Sequence, residues 1–114
     1  MPALDGSEGT YITQAQAKTR GENYVNSDRY EETAYIKAHY LGKDKLSALL
    51  NQSGCKGLRI YYVTKIETSG PHIPDLVVVG ADEDGNDILD DDLILDVSLP
   101  CPPLCPATGK GVMD

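Results

Sequence analysis

Apolar residues fall into blocks along the chain, and their spacing changes from helical to alternating near the middle. Residues 1–12, MPALDGSEGTYI, have no period and are expected to form an extended arm. Thr13-Gln14-Ala15-Gln16 places a hydroxyl at a cap position with Gln three residues on, a capping-box pattern that predicts a helix to about Tyr24. Ile12, Ala15 and Thr19 lie loosely on one side of it, and Gly21 weakens it from within. Asp28-Arg29-Tyr30-Glu31 is a second helix start, enough for a turn or two. Between Ala34 and Leu41, Tyr35, Lys37 and His39 alternate with Ile36, Ala38 and Tyr40. That pattern suits a short strand, with a helix left open as the alternative. Leu46, Leu49 and Leu50 stand at helical spacing before Gly54, which predicts a helix over 44–52.

The second half reads as sheet. GLRIYYVTKI is rich in β-branched and aromatic residues and predicts a strand over 57–66. Leu58, Ile60 and Tyr62 share one face of it; Arg59, Tyr61 and Val63 share the other. SGPHIP is expected to be a loop. DLVVVGA is continuously apolar and predicts a strand over 74–81 covered on both faces. ADEDGND has turn chemistry, after which Ile88-Leu89 and Leu93-Ile94-Leu95 return as a further strand. The expected class is α+β: a small antiparallel meander over about 57–95 with one or two helices packed on it. The expected division is an arm at 1–12, one domain at 13–100 and a Pro/Cys-rich tail at 101–114.

Composition narrows the partners. The chain has 114 residues and a net charge of −8. Eight of its 18 acids lie between Asp82 and Asp96, where there is no Lys or Arg, so this segment carries the whole net charge. No basic stripe is present to neutralise phosphates, which argues against nucleic acid and against an anionic membrane surface. The N-terminus lacks the basic start and apolar run of a secretory signal, and the expected location is the cytoplasm. All seven aromatic residues are tyrosines. Their rings suit core edges and interfaces, because each hydroxyl needs a partner.

Two segments invite a metal. Asp82 to Asp87 offers oxygen ligands at alternate positions, but Asp87 and Leu93 stand where a calcium loop needs Gly and Glu, and a hairpin turn explains the same residues. Cys101 and Cys105 have the spacing of a structural zinc pair, with Cys55 as a third ligand and His72 or His39 as the fourth. Zinc is the cofactor such a set would hold. Against it, Pro102 and Pro103 favour an extended backbone, which would keep the two sulfurs too far apart for joint ligation or a local disulfide. A disulfide from Cys55 to either tail cysteine stays open. The favoured reading has free cysteines packed as small hydrophobes under a stiff proline strap.

Catalytic signals are weak: no nucleophile elbow, no Gly-rich phosphate loop, and two histidines, His39 in a tyrosine-rich segment and His72 in a Pro-flanked loop. Three roles follow. The first is a non-enzymatic structural protein that self-associates through its termini into a ring or filament, with Tyr11, Tyr61, Tyr62, Pro102 and Pro103 as contact residues. The second is a metal-binding or thiol-redox module. The third is an acidic adaptor for a basic protein partner.

Three blocks also occur in combination: LGKDKLSALLNQSGCKGLRIYYV, LVVVGADEDGNDIL and PCPPLC. Together they resemble a family of small Bacteroidetes-type bacterial proteins. That family has a Leu-rich helix entering a Gly-Cys-x-Gly-Leu-Arg-Ile-Tyr strand, and it closes on Pro-Cys-Pro-Pro-x-Cys. The resemblance brings no activity, cofactor or fold. It implies that Cys55, Cys101 and Cys105 belong to one pattern, whether packed, bridged or metal-bound.

Overall fold

Thr13 begins the first helix as its sequence requires. Its hydroxyl accepts from the Gln16 N–H at 3.1 Å, and the Gln16 side chain accepts from the Thr13 N–H at 2.9 Å. The computed structural model describes residues 3–32, 35–66, 72–96, 99–103 and 105–113, with the backbone alone at 65, 66, 72, 73 and 100. Helix α1 spans Gln14–Val25 and α2 spans Asp28–Glu32. Strand β1 (Ala38–Tyr40) and helix α3 (Lys43–Leu50) follow. The strands β2 (Cys55–Ile66), β3 (His72–Asp82), β4 (Asp87–Ile88) and β5 (Leu99–Cys101) complete the order. The chain is α+β, as expected.

The main sheet has three antiparallel strands in the order β2-β3-β4. β2 and β3 pair from Ile66↔His72 to Cys55↔Asp82, with one bulge at Cys55/Gly57. The acidic turn is local chemistry. The Asp82 carboxylate accepts from the Asp84 and Asn86 N–H groups, and Gly85 takes a positive φ of 83°. Past the turn, the expected strand over 88–95 shrinks to two residues and one bridge, Val78↔Leu95. The Asp90-Asp91-Asp92 run interrupts it, and there the Asp90 carboxylate caps the Asp92 N–H.

The core sits where α3 meets β3. Leu49 and Val78 are fully buried, and Val79 and Ala81 nearly so. Adjacent strand residues point to opposite faces, so β3 is covered on both, as its unbroken apolar run predicts. Gly80 makes the close approach possible. A Cβ there would lie 2.7 Å from Gln52 Oε1, 3.1 Å from Cys55 Sγ and 3.4 Å from the Leu49 carbonyl oxygen.

The tail departs from the expected stiff strap. β5 pairs antiparallel with β1, Ala38 opposite Cys101, so the boundary drawn at 100/101 runs through a strand. The Cys101–Pro102 and Pro102–Pro103 peptide bonds are cis. The chain doubles back, and Cys101 and Cys105 form a disulfide with Cα atoms 4.8 Å apart. The expectation that CPPLC is too extended for a local disulfide is corrected: it took the Pro-Pro backbone as straight, whereas the Cα atoms of the two cysteines stand 4.8 Å apart. Beyond it, the tail returns to α1, where Met113 packs on Gly21 so closely that a Cβ would meet its Cγ at 2.5 Å. The glycine that weakens α1 in sequence is what lets the tail dock.

Of the expected arm, residues 3–12 are described, and they are held at one point. Leu4 donates to the Glu83 carbonyl at 2.9 Å, which ties the arm to the β3–β4 turn. Asp5, Ser7 and Glu8 close a local knot, whereas Tyr11 and Ile12 are exposed.

Candidate functional site

β2 is the most distinctive surface feature. It forms one edge of the sheet, runs for 12 residues, and pairs among the described residues with β3 alone. Its β-branched and aromatic side chains favour the extended form. Arg59 and Tyr61 lie on one face with Val77 and Val79; Leu58, Ile60 and Tyr62 lie on the other with Leu76, Val78 and Gly80.

On the first face three side chains converge. Arg59 stands opposite Val79 and Asp87 opposite Ala81, so their contact crosses β3 above those two buried residues. The Arg59 guanidinium donates to the Gly85 carbonyl at 2.9 Å and to one oxygen of Asp87. The Tyr61 hydroxyl donates to the other oxygen. The Tyr61 bond, with Arg59 adding to it, holds the Asp87 carboxyl below its ordinary range. The same carboxylate pushes the Tyr61 phenol and the Arg59 guanidinium up. Asp87 is thus a fixed anion with two donors, which suits pinning the hairpin and not proton transfer near neutrality.

The second face is open at one end. α3 covers the Leu58 end through Gly80, but Ile60 is 51% exposed and Tyr62 is 92% exposed. Leu89 and Ile94 are exposed beyond β4.

The other expected contact residues scatter. Tyr11 is fully exposed on the arm, and Pro102 and Pro103 are exposed at the tip of the disulfide loop. Tyr24, Tyr30 and Tyr35 instead stack edge to face, with centroids 5.5 and 5.3 Å apart, and the Tyr24 hydroxyl donates to the Ile36 carbonyl. Among the described residues, the three cysteines of the expected metal set do not stand as three free thiols. Cys55 is a free thiol at the start of β2, its Sγ donating to the Gly57 carbonyl. Cys101 and Cys105 are bonded to each other, so neither presents a thiolate. The His72 backbone opens β3, and its side chain lies outside the described residues. No group of three or more His, Cys, Asp or Glu converges among the described residues.

Sequence reasoning passed over Arg59, Asp87 and Ile60. The alternation of β2 already set Ile60 beside Tyr62, but the Arg59–Asp87 partnership depends on the register across β3. A groove of about 360 Å³ lies along the seam between α1 and the tail, where Lys37 Nζ donates to the Met113 carbonyl at 3.3 Å. None of the described helices is long and apolar enough to cross a membrane. Compared with protein families, curated proteins and solved structures, the chain matches none.

Proposed function

We propose that the chain is a non-enzymatic structural protein that associates with copies of itself. Its surface carries this reading. The accessible area is 8558 Å². A folded monomer of 12.3 kDa would expose about 6,100 Å². The radius of gyration is 16.0 Å, against about 13 Å for a compact domain of this length. The surplus, roughly 2,500 Å², exceeds the ~800 Å² that one partner contributes to a standard interface. Among the described residues Ile60 and Tyr62 are exposed side by side on one face of β2, an apolar patch that a second copy could cover.

The expected contacts at the termini keep a smaller share. The tail and Leu4 are tied to their own chain, which leaves Tyr11, Ile12 and the Pro102-Pro103 tip for contacts that would extend an assembly into a ring or filament. The thiol state bears on the compartment. The expected cytoplasmic location would keep Cys101 and Cys105 reduced, whereas the disulfide form belongs to an oxidising compartment.

Sedimentation velocity across a wide concentration range tests the reading. The expected result is a mass that rises in multiples of 12.3 kDa. A single monomer at every concentration overturns it.

A further inference from the structure

The edge of β2 that pairs with no described residue can be read position by position. Val78 and Leu95 exchange both backbone hydrogen bonds, Val78 N–H to Leu95 at 2.8 Å and Leu95 N–H to Val78 at 3.0 Å. In an antiparallel strand both polar groups of one residue point to the same side. Val78 therefore turns its N–H and C=O away from β2. Its partner Ile60 is left in a non-hydrogen-bonded pair, with its own N–H and C=O aimed outward. Alternation puts the backbone groups of Leu58, Tyr62 and Thr64 outward too, with no described partner. Leu58, Ile60, Tyr62 and Thr64 carry no charge, Arg59 and Lys65 stand at the alternating positions whose backbone faces β3, and Lys56 and the bulge lie below them at the Cys55/Gly57 end. The opposite edge is short and is followed by Asp90, Asp91 and Asp92, so it is guarded.

Resting on the self-association reading, we propose that two copies join along β2, antiparallel about a two-fold axis through Tyr61, into one six-stranded sheet. A second copy fits because the edge is complementary to itself. A slip by one residue would set outward groups against inward ones and exchange the faces. With Tyr61 on the axis, Leu58 meets the second copy's Thr64, and Ile60 meets the second copy's Tyr62. The four outward residues from Leu58 to Thr64 then pair. The exposed Ile60 and Tyr62 side chains of β2 cover each other as aliphatic–aromatic pairs. The surplus surface exceeds what such a dimer needs, and the pairing is isologous and closes on itself.

Two experiments on the full chain test this. Ile60→Lys/Tyr62→Lys places charge on exposed positions of the open face. Sedimentation should show at least a tenfold loss of dimer affinity, with unchanged circular dichroism. A wild-type chain that is monomeric throughout overturns both this pairing and the self-association reading. Association of undiminished affinity in a folded double variant overturns the β2 pairing alone. The second variant, Tyr61→Cys in a Cys55→Ser background, fixes the register independently of the first. Residues facing each other in a non-hydrogen-bonded pair lie about 4.5 Å apart at Cα, within disulfide reach. Mild oxidation should give a covalent dimer. Ile60→Cys alone should not, since its opposite number is Tyr62. The reverse pattern overturns the register.

Discussion

Gly80 and Asp87 show how single residues hold this molecule. Gly80 is the floor on which the end of α3 rests, with Gln52, Cys55 and the Leu49 carbonyl above it. Gly80→Ala should destabilise the fold by about 1–3 kcal/mol through overpacking, read from urea midpoints. Because Gly80 does not take a positive φ, the loss reports crowding and not backbone strain. Asp87 sets a pH dependence. Its lowered pKa means its contribution is present above the ordinary carboxylate range and lost as pH falls through the lowered value, below about pH 4. Tyr61, raised, has the opposite window: its contribution is present below about pH 10 and lost as pH rises through the higher value. Asp87→Asn should remove the acid-side loss and return the Tyr61 titration toward that of an ordinary phenol, followed by NMR. An unchanged Tyr61 titration would mean that the pin does not form in solution.

At the scale of elements, the tail is the part most dependent on contacts made elsewhere. β5 has three residues and pairs with a three-residue β1, too little to stand alone. The disulfide loop, the Lys37–Cys101 backbone bond of 2.7 Å and the seat of Met113 on Gly21 hold it. Closing so short a loop contributes about 2 kcal/mol by chain entropy. Reduction should cost about that much and should expose residues 99–113 to limited proteolysis before the β2–β3 hairpin opens. Gly21→Ala gains up to ~1 kcal/mol of helix propensity in α1 but displaces Met113. It should leave helix content intact while the tail becomes easier to cleave. Equal cleavage of wild type and variant would show that the tail does not rest on α1.

At the scale of the whole molecule, stability and assembly are linked. The core centres on Leu49 and Val78, so truncation there has little to fall back on. Leu49→Ala should cost about 2–5 kcal/mol, a large part of the ~5–15 kcal/mol that a domain has. If the folded chain associates through β2, mass action should raise its melting temperature with protein concentration. The Ile60→Lys/Tyr62→Lys variant should lose that dependence. A concentration-independent melt in wild type would count against assembly under the conditions used.

Local pattern alone determined the capped start of α1, the α3 helix ahead of Gly54, the two long strands and the acidic turn between apolar runs. Each depends on residues close in sequence: a hydroxyl and an amide three apart, leucines at helical spacing, alternating or continuous apolar side chains. Pairing across distance was decided only in three dimensions. The Arg59–Asp87–Tyr61 pin needs the β2-β3-β4 register, which sequence alternation restricts but does not choose. The Cys101–Cys105 disulfide needed the chain to fold back between the two cysteines, which a run of prolines read locally does not announce. Gly21 and Gly80 count against a helix and a strand when read locally. Only packing shows that the tail and α3 require the space a side chain would fill.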